Sequence, residues 1–253
     1  MRTKIKAVVT ILLGSLTMSV NAEWENPYSP QHPPTTPFFQ NENTTTSELE
    51  FTLYPLDNNG LAENHYRKAV VFAQRKQFDT AEAELNQALR LNKQHIEARE
   101  LLVSLLLKRR AIDSGMTALE IGINAAPEHA EFTLWLAQVH TKLGSHHKAR
   151  ELLEQHKQRF KQRPDYLGAL ASLYQQTNSQ TQAHHHFLKA AELAPEDGRW
   201  WLGVGMTAET LEDWQGAFNA YRRATDFSFI NGSLRQFAHQ RLVFVKNQLQ
   251  QQS

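Results

Sequence analysis

Three consecutive imidazoles, His184, His185 and His186, are the residues of this sequence whose type most readily suggests chemistry. Imidazole ligates transition metals and exchanges protons near neutral pH. The spacing argues against a shared site, because successive side chains on a helix diverge by about 100°. Metal-binding pairs on a helix sit three or four residues apart. His140 with His147, and His184 with His185, could share an ion only through tertiary contact. The expected role is a solvated, mildly pH-sensitive helix surface, with a histidine-based metal-handling protein as the alternative.

Two other stretches raise the same question. His146 to Arg163 reads HHKARELLEQHKQRFKQR. Its Lys157, Arg159, Lys161 and Arg163 suit the negative end of a helix dipole, and an acidic partner or anionic lipid head groups are the functional alternative. Ala194 to Glu209 reads APEDGRWWLGVGMTAE and could be an aromatic platform, a phosphate loop or helix packing. Gly198, Gly203 and Gly205 match no phosphate-loop spacing.

No P-loop, nucleophile elbow or HExxH motif is present, and there is no cysteine for nucleophilic catalysis or thiolate ligation. The chain is therefore expected to be no enzyme and to hold no cofactor or metal. A net charge of +1 over 253 residues removes nucleic acid as a default partner.

The elements that must position any site begin after two N-terminal segments. Residues 1–22 carry Arg2, Lys4 and Lys6 before the apolar run AVVTILLGSLTMSV and the end Val20-Asn21-Ala22, which predicts a signal peptide and export to a bacterial periplasm. An uncleaved signal would tether the chain to the inner membrane. Residues 23–61 hold five prolines between Pro27 and Pro37 and no Lys or Arg from Glu23 to Gly60, which predicts an extended acidic linker. Within it, Leu49, Phe51 and Leu53 alternate with polar residues in a strand-like pattern. That segment is expected to pack on the first helix, or to dock a partner as an extended peptide.

From Ala62 a 34-residue period appears, with blocks at 62–95, 96–129, 130–163, 164–197 and 198–231. Column 8 holds Ala69, Val103, Ala137, Ala171 and Gly205, and column 20 holds Ala81, Gly115, Ala149, Ala183 and Ala217. Column 24 holds Leu85, Leu119, Leu153, Phe187 and Tyr221. Small residues where two helices cross closely, with large apolar residues around the crossing, describe a helical hairpin. Residues 232–253 place Leu234, Phe237, Leu242, Val245 and Leu249 at helical spacing, as a helix capping the bare end of a stack would require.

The block Pro164 to Asp197, with Leu167, Leu170, Ala171, Tyr174, Ala183, Phe187, Ala190 and Pro195, resembles a tetratricopeptide repeat (TPR). The resemblance implies an all-α TPR superhelix of five helix-turn-helix repeats plus a C-terminal capping helix. Lys68, His140 and His156 depart from the pattern, so the first and third repeats should be the less regular ones. Trp201 falls in the repeat's tryptophan column and should be core, whereas Trp200 has no assigned place.

The same resemblance implies a concave groove lined by columns 2, 5, 9 and 12. The partner-binding residues expected there are Tyr66, Val70, Glu100, Ser104, Leu134, Gln138, Ser172, Arg199, Leu202 and Met206, with Glu209 beside them. Repeats that clamp a terminal carboxylate use basic residues and Asn, which this groove lacks. A helix or extended segment with apolar and basic groups fits it better.

GRWWLGVGMTAE, AFNAYRRA and SLRQFAHQRL, within Leu167 to Leu242, are similar to the end of the MshN family of MSHA type IV pilus biogenesis proteins. Members of that family are usually tethered by an N-terminal membrane helix, from which the short signal and Pro-rich tail here depart. The expected function is a protein–protein interaction scaffold in the bacterial envelope, serving pilus or type II secretion-like assembly. A general periplasmic adaptor in cell-envelope or cell-wall assembly is the second reading.

Overall fold

A left-handed residue recurs every 34 positions: Lys76 (φ 60°), Arg110 (60°), Gly144 (75°), Asn178 (59°) and Glu212 (63°). Each ends a helix by turning the chain so that the following N–H reaches back five residues. These bonds are Gln77 N–H to Phe72 O, Ala111 to Leu106, Ser145 to His140, Ser179 to Tyr174 and Asp213 to Ala208, at 2.8–2.9 Å. This is the Schellman end, which satisfies carbonyls the helix leaves open. Only the third of the five positions is glycine, so the other four hold a conformation that L side chains rarely adopt.

The computed structural model describes residues 57–226 and 232–252. The signal, the linker and its strand-like segment lie outside them, apart from the linker's last residues. The described residues form α1 (Asn58–Gln74), α2 (Phe78–Leu91), α3 (Ile96–Lys108), α4 (Ile112–Ala125), α5 (Ala130–Lys142), α6 (His146–His156), α7 (Pro164–Gln176), α8 (Gln180–Leu193), α9 (Gly198–Thr210), α10 (Trp214–Asp226) and α11 (Gly232–Gln252). No strand occurs among them. Two compact units divide the described chain, 57–118 and 119–252, with the division inside α4.

In the first unit α1 and α2 form a hairpin, and α3 packs on α2. Asp57 caps α1 by accepting from Gly60 N at 2.7 Å, satisfying one of the donors that a helix start leaves open. Lys68 is exposed on α1, so its departure from the apolar column costs no burial. In the second unit each helix from α5 to α11 packs on the next. Column 24 is the buried pivot throughout, with none of its five side chains more than 1% exposed.

The third repeat is the irregular one. Its second helix, α6, has 11 residues, against 13 or 14 for the others. His156 stands where neighbouring repeats carry Ala88, Gly122, Ala190 and Ala224, and the helix stops there. The basic run therefore does not continue as a helix end. The chain from 157 to 163 is a connection that buries Phe160 against Tyr166, ring centres 4.9 Å apart.

In the last two repeats aromatic rings rest directly on helix backbone. The Trp200 ring occupies the space where a Cβ at Gly168 would lie, Phe187 does so at Gly203, and Tyr221 at Gly205. This gives Trp200 its place: it is a buried side chain of α9 seated on α7. Gly203 and Gly205, beside the tryptophan pair, are contact points within the helix, and Gly198 is its first residue, so none forms a loop.

Candidate partner-binding face

Tyr66 and Val70 of α1 and Glu100 and Ser104 of α3 are half-buried in the first unit. Burial, then Glu97, Glu63 and Glu100, raise the Tyr66 hydroxyl pKa above its ordinary value. The ring also lies 5.1 Å from that of His95. Tyr66 is thus an aromatic surface surrounded by carboxylates, a setting that favours a cation with an apolar stem.

The carboxylates at the starts of the first helices are already engaged. His95 meets Glu63 at 3.3 Å and Glu97 at 3.2 Å. His129 meets Glu131 at 3.2 Å. Arg163 bridges Glu131 (2.8 Å) and Asp165 (2.6 Å), which together hold its guanidinium above its ordinary pKa. Sequence reasoning passed over these pairs, although column 34 holds His95, His129 and Arg163 and column 2 the acids Glu63, Glu97, Glu131 and Asp165. In the fifth block the signs reverse: Asp197 caps α9 and holds Arg199, whose guanidinium lies 4.9 Å from the Trp200 ring.

In the second unit Leu134, Gln138 and Arg199 are half-buried, whereas three residues expected in the groove are not on a free face. Ser172 is 4% exposed, and its hydroxyl donates to Gly168 O at 2.9 Å, back along its own helix. Leu202 and Met206 are 0% and 3% exposed. They belong to the same core as Leu234, Ala238 and Val245 of the capping helix. Glu209 also leaves the face, because Arg241 of α11 binds it through both Nε (3.0 Å) and Nη2 while the Tyr221 hydroxyl donates to it at 2.9 Å. The capping helix therefore takes up the fifth repeat's share of the expected groove.

The consecutive histidines separate as their spacing requires, but not all reach solvent. His184 pairs with the Thr207 hydroxyl at 3.0 Å and His185 is exposed. His186 is 8% exposed and stacks on Tyr174 at 5.5 Å. Desolvation, then Lys157 and His185, lower its pKa to about 4, against the opposing pull of Glu154. The unfolded chain thus takes up a proton near pH 6.5 that the folded chain refuses until about pH 4. Stability should be full above about pH 6.5 and fall as pH drops toward 4. Denaturant midpoints measured across that window should fall less steeply for His186→Leu than for the native chain. Among the described residues no three His, Asp or Glu groups converge as a metal site.

Known proteins match this architecture. Residues 101–164 and 169–228 match one tetratricopeptide-repeat family description and residues 62–95 another, together more than half of the chain. No curated protein matches. Among solved structures, MamA aligns with a TM-score of 0.55 at 14% identity, over 66% of this chain and 91% of its own. A MamA fragment from Desulfovibrio magneticus RS-1 aligns at 0.53 and 16% identity, over 65% and 93%. YrrB, described as a TPR protein with an unusual peptide-binding site, aligns at 0.55 and 16% identity, over 71% and 92%. These structures share the fold, and the family matches give the lineage: the chain belongs to the tetratricopeptide-repeat family.

Proposed function

We propose that this protein is a non-enzymatic scaffold of the bacterial envelope, capturing a protein segment with basic and apolar side chains. The observation that carries the reading is Tyr66, half-buried among Glu63, Glu97 and Glu100. An extended or helical segment with a Lys or Arg would bury its stem on the ring and bring its charge to where His95 now meets Glu63 and Glu97. YrrB supplies a structural relative described by its peptide-binding site. The signal-like residues 1–22 support an exported setting, and the MshN-like stretches between Leu167 and Leu242 support a role in assembling an MSHA-like type IV pilus or a type II secretion-like machine.

The test is photo-crosslinking in living cells from a reactive residue at Glu100. The expected product joins this chain to a pilus or secretion component. Crosslinks confined to cell-wall synthesis enzymes would favour the general adaptor instead, and none at all would remove the first unit's face as the site. Tyr66→Ala should weaken capture of that partner about tenfold, as loss of an aromatic anchor does, and Leu134→Ala tests separately whether the second unit holds a binding face of its own. The thermal midpoint should barely change, since both side chains are only half-buried.

A further inference from the structure

The break in the third repeat leaves a recess that neither the fold nor the partner-binding face uses. After α6 stops at His156, the connection presents Lys157, Gln158, Lys161 and Gln162, and α8 runs alongside with His185, His186 and Lys189. These seven residues and Leu167 line a recess of about 290 Å³ within the second unit. Leu167, 2% exposed, gives it an apolar base. No carboxylate lines it.

The charges do not cancel. Lys157 is answered by Glu154, Nζ to Oε2 2.7 Å. Glu154 is itself held in place by the Tyr174 hydroxyl at 2.7 Å and stands 3.8 Å from His186 Nε2. Lys161 and Lys189 are exposed and have no carboxylate partner among the described residues. Three ammonium groups against one nearby carboxylate leave a local surplus of about two positive charges at neutral pH. Gln158, Gln162, His185 and His186 complete the lining beside the lysines.

We propose that this recess binds a phosphate group, either free or as a lipid head group. A phosphate dianion matches the surplus charge, which a single carboxylate would satisfy only in part. The donor set points the same way. A planar carboxylate is best met by the paired N–H groups of arginine, and no arginine lines the recess. Lysines act as movable point charges that can approach tetrahedral phosphate oxygens from separate sides. His186 is held by its stacking on Tyr174 and by burial, so one wall of the recess is fixed while the lysines adapt.

Calorimetric titration of the full chain with inorganic phosphate, together with co-sedimentation on phosphatidic acid–phosphatidylcholine vesicles, whose monoester head group can carry two charges, tests the site. Phosphatidylcholine vesicles serve as reference. The variant is Lys161→Ala with Lys189→Ala, and the control is Lys68→Ala with Lys93→Ala, exposed lysines elsewhere on the chain. All four lysines are exposed, so both variants should melt like the native chain. Saturable phosphate binding that weakens about tenfold or more in the first variant and not in the control is expected if the ligand is soluble. Sedimentation with the phosphatidic acid vesicles alone, with the same loss, identifies a head group. No binding to either probe, equal loss in both variants, or binding only to an acidic peptide such as polyglutamate would overturn the proposal.

Discussion

Replacing Trp201 by alanine is expected to lower the free energy of unfolding by about 3–5 kcal/mol. The ring is 7% exposed inside the core of the last repeats, so its removal leaves a cavity rather than a solvated gap. Its Nε1–H donates to Pro195 O at 2.8 Å, across the turn that joins the fourth repeat to the fifth. The Arg223 guanidinium lies over the ring, 4.4 Å from its centre. Against a whole-domain stability of roughly 5–15 kcal/mol, this loss is a large fraction and will show in the denaturant midpoint. Trp201→Phe separates the contributions. It keeps much of the ring contact and removes the hydrogen bond to Pro195, an exposed residue whose carbonyl water can reach, so it should cost about 0.5–1.5 kcal/mol. A loss below about 1 kcal/mol for Trp201→Ala would mean that the ring is not packed as described.

Arg241→Met should cost a similar amount, about 3–5 kcal/mol, for an electrostatic reason. Arg241 and Glu209 are only 14% and 10% exposed at their side chains. Removing the guanidinium leaves the Glu209 carboxylate buried, with the Tyr221 hydroxyl as its remaining described donor. Removing both charges with Arg241→Met and Glu209→Gln should recover most of the loss, because the penalty arises from an uncompensated charge rather than from the missing pair. The local consequence is more informative than the global one. With α11 loosened, backbone amides of α11 should exchange with solvent faster than those of α7 and α8. Leu202 and Met206 should become accessible with them. Equal exchange in α11 and α7 would show that the capping helix is held by its apolar contacts alone.

The repeat frame was legible because burial selects residue size at fixed positions. Once the alanines and leucines of columns 8, 20 and 24 are aligned, the helix starts at Ile96, Ala130, Pro164 and Gly198 follow. The left-handed turn position was harder to see. Glycine and asparagine advertise that conformation at 144 and 178, but Lys76, Arg110 and Glu212 do not. The place of Trp200 depends on a glycine 32 residues earlier, on another helix, and no helical period reveals such a contact. For the same reason the groove expectation fails at the fifth repeat: Leu202 and Met206 have the column of groove residues, yet the next element is a capping helix. His186 differs from its two neighbours only in where the helix rotation points it.

The seats of the aromatic rings also limit how this gene could have grown. Repeat arrays lengthen when a unit is copied in tandem, and a copy is tolerated only if each surface accepts its own sequence as neighbour. The fifth repeat does not. A duplicate placed after it would bring a second column-3 tryptophan toward column 5, where Gly168 now receives the Trp200 ring and where the fifth repeat carries the fully buried Leu202. A copy of the fourth repeat would offer Tyr166 in column 3 to a seat shaped by the larger indole. The order of the last two repeats is thus written in side-chain volume, and lengthening at this end would require a compensating change in the copy itself.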